Sequence, residues 1–433
     1  MHTISNIPQK IFHFFTQTAE VLAKESQFKQ RHSKLTPTAF TKALIKSCLS
    51  QQFGLEIFRC ALKEQNVIIS KQALFERFNE RTVKFMRSLA TEGLKKFKTE
   101  RLPHLSIFEQ FTALNIIDSS TCSLNSALSP LFKGSGGSAS GAAIKIQVMF
   151  DYLNGQIKDL ALTSGCDNDQ GFGAFLNSIQ KGALYLMDLG YFKLSSFQKI
   201  INGEAFFVSR LLTGTSLLTL DGNTINLVKK LQNTSTMFSE QLLMGARTKI
   251  PVRLVAQRLP TFIAEQRRRK LKDGHRRRGI TPSQELLYLQ EWSIYITNTN
   301  ETQISNEAIH NTYAFRWQIE LFFKLSKSLM RVDCIKTTKS YRVNIEIYGK
   351  FICMMLLLLL CAPVRYQQNK ELSFYKACKI LIDKASDFIR ALHSLYRLKH
   401  FFTTFAEDLS LFAIKDIRKT APMFPVGAAE NDF

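Results

Sequence analysis

No two cysteines of this chain form a CxxC pair; its eight stand scattered at positions 48, 60, 122, 166, 334, 353, 361 and 378 of 433. A disulfide framework and a zinc site are therefore not expected, and reduced thiols suit a cytosolic protein. No HExxH occurs, and His393 and His400, seven apart, lack metal-ligand spacing. The stretch Gly134–Gly141 does not follow the GxxxxGK[ST] order of a phosphate loop and reads as a mobile loop. The most apolar run, Phe351 to Ala362, is twelve residues stopped by Pro363. A membrane span needs about 20, so a buried core helix is expected. The opening MHTISNIPQKIFHFF has neither a secretory apolar region nor a small-residue cleavage site. The expectation is a soluble, cytoplasmic protein with no membrane partner.

Acidic residues are scarce, 35 Asp and Glu against 58 Lys and Arg, a formal net charge of +23. A surplus of that size points to a polyanion, because cations replace the counterions on nucleic-acid phosphates. An anionic membrane is the rival, but no polybasic tract flanks a spanning helix. With 45% hydrophobic residues the chain can bury a large core, and its length suggests two or three domains.

Residues 1–105 read as helices with tight basic joints, a pattern like a helix-turn-helix DNA-binding module. Thr36-Pro37 caps one helix, Leu55–Leu62, Ile69–Phe78 and Glu80–Phe97 supply others, Asn79 caps the last, and Pro103 closes the segment. From Phe111 the period changes. TALNIID ends on Asp118; AIKIQVMFD and QIKDLALTS form a hairpin; Gln170–Lys181 reads as a helix. ALYLMD closes on Asp188, and a helix over Leu194–Ile201 and the strand EAFFVSRL follow. This strand-strand-strand-helix-strand-helix-strand order predicts an α/β fold with an RNase H-like core. A β-rich insertion is expected at about 212–298: a hairpin turning at Asp221-Gly222-Asn223, the half-buried strand KIPVRLVAQRL, a basic run, and the strand LYLQEWSIYITN. The catalytic core would then span 106–362 and a helical C-terminal region, with the helices after Ser373 available for dimerisation, 363–433.

The densest chemistry lies between Asn311 and Cys334. On one helix, Tyr313, Arg316, Glu320 and Lys327 would fall at about 0°, −60°, −20° and −40°. Lys324 and Arg331 project near the same stripe, while Phe315, Ile319, Phe322 and Leu325 face elsewhere. One carboxylate flanked by cations suits a metal ion held beside a phosphodiester; a solvated face of ordinary ion pairs is the plainer alternative. Asp118 and Asp188 each close an apolar run, and strand ends in α/β sheets gather ligands. Together with Glu320 they can hold two Mg²⁺ ions, or Mn²⁺ in their place, about 4 Å apart. Asp151, Asp159, Asp167 and Asp169 compete as ligands in principle, but Asp151 opens the hairpin turn and Asp169 precedes a helix, so turn and cap roles are expected. Between Gln266 and Gly279 eight Lys/Arg accompany one Asp. Arg267, Arg268, Arg269, Arg276, Arg277 and Arg278 of that run are candidates for gripping a DNA backbone; otherwise the run is a solvated loop.

The series Tyr313-Ala-Phe-Arg316-Trp-Gln-Ile-Glu320-(LFFKLS)-Lys327 resembles, without a departure, the signature helix of DDE-class bacterial insertion-sequence transposases of the insertion-sequence-four group. IIDSS around Asp118 and MDLGYF around Asp188 resemble that group's other acidic motifs, and WSIYITN its last insertion strand. The resemblance covers most of residues 105–362. It implies that Asp118, Asp188 and Glu320 are the catalytic metal ligands and that Tyr313, Arg316 and Lys327 grip phosphates of the transposon end. It further implies cleavage at terminal inverted repeats, strand transfer into target DNA, at least a homodimer in the synaptic complex, and a bacterial, nucleoid-associated location. A catalytically silent, domesticated DNA-binding relative and another RNase H-like nuclease are the competing readings. The intact acids disfavour the first, and the insertion with its helix motif disfavours the second.

Overall fold

The computed structural model describes residues 6–30, 33–50, 53–97, 106–136, 140–171, 173–367 and 372–415. Six helices come first: α1 (Ile7–His13), continued by a π-turn into α2 (Ala19–Glu25), then α3 (Pro37–Leu49), α4 (Leu55–Lys63), α5 (Lys71–Arg77) and α6 (Glu80–Lys96). The strands β1 (Leu114–Ser123), β2 (Ala143–Asp151), β3 (Gln156–Ser164) and β4 (Leu184–Met187) follow. Next are α7 (Leu194–Asn202), β5 (Phe206–Arg210), β6 (Leu217–Leu218), α8 (Leu227–Gln232), β7 (Met237–Met244) and β8 (Ile250–Arg258). The remainder is α9 (Thr261–Arg276), α10 (Gln284–Leu289), β9 (Trp292–Thr297), α11 (Ile309–Ala314), α12 (Trp317–Ser328), α13 (Ser340–Gln367), α14 (Phe374–Asp383), α15 (Ala385–Ala391) and α16 (Leu395–Phe412).

The chain forms two compact units, each assembled from separate segments. Among the described residues, one comprises those of 6–97, Ser119–Asp167 and 320–415, and the other Ser106–Asp118 and those of 168–319. The chain passes from one to the other at Asp118/Ser119 within β1 and at Ile319/Glu320 within α12.

In the first unit the N-terminal helices pack around α13. Thr36 caps α3 by accepting from the Ala39 N–H at 3.1 Å, and Asn79 does the same for α6 from Thr82 at 3.2 Å; each such cap contributes about 1 kcal/mol. α13 runs through Pro363 rather than stopping before it. Proline removes one N–H, and here the wholly buried apolar surroundings hold the helix regardless. Its length and composition would let it cross a membrane, yet its apolar window is completely buried inside the protein. It is the expected core helix, longer than foreseen. β2 and β3 pair antiparallel around Asp151, whose carboxylate accepts from Asn154 N at 3.2 Å and Nδ2 at 2.6 Å, the turn role expected of it. Asp167 likewise accepts from Ser164 N at 2.9 Å. The glycine-rich stretch is described only at its ends, where Gly134 N–H donates to Gly141 O at 3.0 Å; residues 137–139, like Pro103, lie outside the described residues.

In the second unit the strands run β1-β4-β5-β9-β8-β7-β6. β1, β4 and β5 are parallel. β9 joins them by pairing antiparallel with β5 and, on its other side, with β8. The β-rich insertion thus extends the sheet of the core strands instead of forming a separate layer. Arg253 of β8, 3% exposed, holds the loop after β9 by donating to Ile304 O (2.6 Å), Asn306 Oδ1 (2.7 Å) and Thr299 O (3.2 Å).

Several expectations here need correction. Gln170–Lys181 is not an α-helix but holds short 3₁₀ turns at Asp169–Gly171 and Ala174–Ser178; glycines at 171 and 173 carry the largest helix penalty after proline. The hairpin at Asp221-Gly222-Asn223 closes with a single bridge, Leu218 to Thr224. Its second arm winds into α8, capped by Asn226 accepting from Lys229 N at 3.0 Å. In LYLQEWSIYITN the first residues form α10, capped by Ser283, and β9 begins only at Trp292. The basic run, for which no element was foreseen, is helical in α9 as far as Arg276, with Arg277 and Arg278 past its end. KIPVRLVAQRL is a strand, but buried on both faces over Val252–Ala256 instead of alternating.

Close helix packing in the first unit yields a test. A Cβ on Gly349 of α13 would stand 2.9 Å from Cys48 Sγ and 3.2 Å from Leu44 Cγ, whereas one on Gly54 would meet nothing within 4 Å. Gly349→Val is expected to lower the urea midpoint, at a cost of about 1–3 kcal/mol from overpacking. Gly54→Ala leaves the midpoint nearly unchanged. Equal midpoints for both variants would contradict this packing.

Candidate active site

β1 and β4 position two acids. Their parallel register pairs Leu114 with Leu184 and continues through Ile117 with Met187. The next residues are Asp118 and Asp188. Parallel neighbours lie about 5 Å apart and side chains alternate faces, so equal steps carry both carboxylates to the same face, side by side. Asp188 fits the expectation of a strand-end acid. Asp118 does not, since β1 continues to Ser123. What ends at Asp118 is burial: Leu114–Ile117 are buried and Asp118–Ser120 are half-buried. The apolar run marked the edge of the core, and the hydrogen-bonded strand goes on beyond it. Asp188 occupies the position before the 3₁₀ turn Leu189–Tyr191 and its side chain makes no capping bond there.

Tyr313 and Arg316 join these acids. The buried Tyr313 hydroxyl donates to Met187 O at 3.3 Å, against the end of β4. Arg316 Nη1 lies 3.6 Å from Asp118 Oδ2, and its guanidinium carbon is 6.0 Å from the Tyr313 ring centre. Burial pushes the Tyr313 phenol far above its ordinary range; the charge of Asp188 pushes the same way, while Arg316 and Arg210 pull it down. Tyr313 is a neutral donor at any working pH.

The single helix expected from Tyr313 to Lys327 is in fact two. α11 ends at Ala314 and α12 begins at Trp317, with Phe315 and Arg316 in the joint. Phe315 is buried edge-on against Phe108, ring centres 4.9 Å apart. The Arg316 N–H donates to Tyr313 O, three residues back, at 2.9 Å. Helical angles therefore do not relate Tyr313 and Arg316 to the residues that follow. On α12 itself they still apply: Glu320, Lys324 and Lys327 share about 60° of arc.

Those three belong to the first unit. Glu320 lies in the first turn of α12, where the helix dipole favours a carboxylate. Phe322, Phe323 and Leu325 form the apolar back, with Phe322 stacked on Phe150 of β2 at 5.8 Å. Lys324 is exposed and Lys327 half-buried. Lys327 is close enough to Cys122 of β1 to draw its thiol down, against a burial that still leaves it raised to about 11. Arg331 lies beyond the helix with φ +52°, a left-handed conformation rare for a long side chain. Among the described residues, no three His, Cys, Asp or Glu stand together as a ready-made metal cage. The donors themselves are oxygens only, the set that suits Mg²⁺ or Mn²⁺ and not zinc.

The basic run divides in two. Arg267, 7% exposed, donates to Trp292 O at 3.4 Å and Ser293 Oγ at 3.3 Å. Arg268 pairs with Glu291 at 2.9 Å, and Arg258 takes the other oxygen of that carboxylate at 2.9 Å. Arg267 is thus buried away from any DNA backbone, while Arg268, half-buried, is engaged with Glu291; both help to anchor α9. Arg269, Arg276, Arg277 and Arg278 are exposed. The spacing of Ile263, Ala264 and Arg267 on one helical face carried this information.

Sequence reasoning missed Arg210, the last residue of β5, whose charge reaches both Tyr313 and His310. It closes an apolar run just as Asp188 does, and that signal was there to be read. It also missed the pair Tyr295 and His310, whose Oη and Nδ1 are 2.6 Å apart.

A family model described as a transposase DDE domain matches residues 109–356. The chain belongs to that family. It is 27% identical over 394 residues to the transposase for insertion sequence element IS231F of Bacillus thuringiensis subsp. israelensis, covering 84% of this chain and 82% of that one. It is also 27% identical over 368 residues to the transposase for IS1151 of Clostridium perfringens, covering 77% and 76%. Among solved structures it is similar to piggyBac transposase in a synaptic complex with hairpin DNA, with a TM-score of 0.46 and 11% identity over 98% of this chain and 88% of that one. The chain is thus a DDE insertion-sequence transposase, and its activity is DNA transposition through the strand cleavage and transfer general to that family.

Burial and the charges of Arg210 and Arg267 hold His310 below its ordinary value of 6.5. The folded transposase therefore binds fewer protons at this site than the unfolded chain does. The stabilisation is complete above about pH 6.5 and lost as pH falls from there toward the folded pKa. His310→Gln is expected to flatten the decline of melting temperature over that acid window. A decline equally steep in the variant would contradict the assignment.

Proposed function

We propose that Asp118, Asp188 and Glu320 are the metal ligands of this transposase, holding two Mg²⁺ ions, with Mn²⁺ as a substitute, on an RNase H-like core. What supports this reading is the β1–β4 register, paired up to Ile117 and Met187, one step before the half-buried Asp118 and Asp188, together with Arg316 against Asp118. Bound divalent ions would lower the pKa of a nucleophilic water or 3′-hydroxyl and stabilise the leaving oxygen. The protein's own residues do the rest. Arg316, held by Asp118 and the Tyr313 ring, offers a two-pronged donor to a phosphate at the cleavage point. Tyr313, neutral and anchored on Met187 O, buttresses that arginine. Lys327 adds a point charge and Lys324 an exposed one.

In this reading the substrates are the element's terminal inverted repeats and target duplex DNA, met in the bacterial cytoplasm at the nucleoid. The transposase works as a homodimer within a synaptic complex, with the helices of residues 363–433 as the dimerisation region. The helices of 1–105 and the exposed arginines of α9 bind DNA, around the core of 106–362. The intact acids support an active enzyme over a silent DNA-binding relative.

Grip and chemistry separate experimentally. Glu320→Gln keeps the side-chain shape and removes a ligand charge; DNA affinity should persist while Mg²⁺-dependent strand cleavage falls by several orders of magnitude. Replacing Arg269, Arg276, Arg277 and Arg278 by Gln should do the reverse. The slope of log K against log salt should flatten by about 0.9 for each phosphate no longer neutralised, alike for cognate and random duplex, with cleavage at saturating DNA little changed. Cleavage by Glu320→Gln within a few-fold of the parent would sink the ligand role, and an unchanged salt slope would remove α9 from the DNA interface.

A further inference from the structure

The first unit contains a cavity of about 350 Å³ in which none of the residues discussed as metal ligands takes part. That volume is near the lower end of small-ligand sites, about 300–1,000 Å³. Its walls include Arg331, Cys334 and Lys336 from the segment joining α12 to α13, and Arg342, Glu346 and Lys350 from α13. The last three are spaced four apart and so line one helical face. Four cations thus meet one carboxylate. Lys350 donates to Glu346 and, at 2.9 Å, to Arg331 O, so the lysine and glutamate make a charge-balanced floor. Arg342 is different. Its Nε is buried without a hydrogen-bond partner, burial lowers the pKa of its guanidinium, and Phe78 lies 5.7 Å beneath it. That Nε is closed off from the cavity as well, so what Arg342 offers an occupant is the charge of its guanidinium, in a wall that holds four cations against one carboxylate.

From this we infer that the cavity binds a phosphate group of DNA, as a grip separate from Arg316 and Lys327. An apolar ligand is excluded by the charged walls and a metal ion by their sign. The N-terminal turns of α13 add the positive end of a helix 28 residues long. The inference rests on the reading of DNA as substrate, but not on the assignment of the metal ligands. The shared chemistry is a phosphate, either a diester within the duplex or a monoester at a strand end, and the arms of the test separate the two.

Lys336→Gln and Arg342→Gln are compared with the parent for affinity to duplexes carrying 5′-phosphate or 5′-hydroxyl ends, across a range of salt. Lys336 is exposed, so its variant folds even if the Arg342 variant does not. The expected result is a salt slope flattened by about 0.9 for each phosphate left without its cation. Flattening on both duplexes assigns an internal diester, and flattening on the 5′-phosphorylated one alone assigns the terminal monoester. In parallel, inorganic phosphate should slow alkylation of Cys334 relative to the exposed Cys60 and Cys166, and should fail to do so in Arg342→Gln. An unchanged slope in both variants overturns the inference, whatever Cys334 does. Glu320→Gln keeping its DNA affinity while losing cleavage, beside an unchanged slope here, would leave the metal reading standing and this one fallen.

Discussion

Everything proposed for this transposase depends on one hydrogen-bond register, the parallel pairing of β1 with β4. It is fixed by apolar side chains, Leu114, Ile116 and Ile117 on one strand and Leu184, Leu186 and Met187 on the other, all buried. A slip of one residue would turn each of these to the opposite face and move Asp118 out of step with Asp188. The hydrophobic core thus sets the positions of two carboxylates that contribute nothing to it. β5, parallel to β4 on the far side, adds Arg210 by the same logic.

Charge on this chain serves two purposes that composition alone merges into a single +23. Some cations are internal fasteners: Arg253 binds the loop after β9, Arg267 and Arg268 fix α9, and Lys42 donates to Leu392 O at 2.8 Å with its pKa drawn down to about 8 by burial. Others remain at the surface, where an exposed ion pair adds little to stability and a phosphate contact adds much to affinity. The two classes alternate at helical spacing within a single run of α9. Deleting that run whole would confuse loss of DNA grip with loss of fold.

The core strands and the N-terminal helices were legible in the sequence because each carried a pattern long enough to name it. β2 and β3 run over the nine-residue segments expected of them, and Thr36 and Asn79 cap the helices they were read as capping. Expectation failed where local pattern and tertiary context compete. Arg-rich residues give no period by charge, so the run was read for its partner, a DNA backbone, and its helical form in α9 was not foreseen. β7 alternates weakly, with Glu240 and Gln241 in its middle, and owes its strand form to pairing with β8. The joint at Phe315-Arg316 carries no glycine or proline to announce it, and the ring packed on Phe315, Phe108, lies 207 residues away in sequence. Of the site, the acids and their partners were proposed from spacing and resemblance, while Arg210 and the buried place of Arg267 stood in the pattern, as the close of an apolar run and one face of a helix, and were not read from it.

The central claim, that Asp118 and Asp188 are side-by-side ligands of the catalytic metal ions, is tested most directly by changing the ligand atom. Asp188→Cys and, separately, Asp118→Cys replace a hard oxygen with a softer thiolate at the same place. Strand cleavage at the element end should vanish in Mg²⁺ and return in part in Mn²⁺ for both variants, with DNA affinity intact. Equal loss in the two metals, or unimpaired cleavage in Mg²⁺, would contradict a ligand role and with it the meaning given to the β1–β4 register.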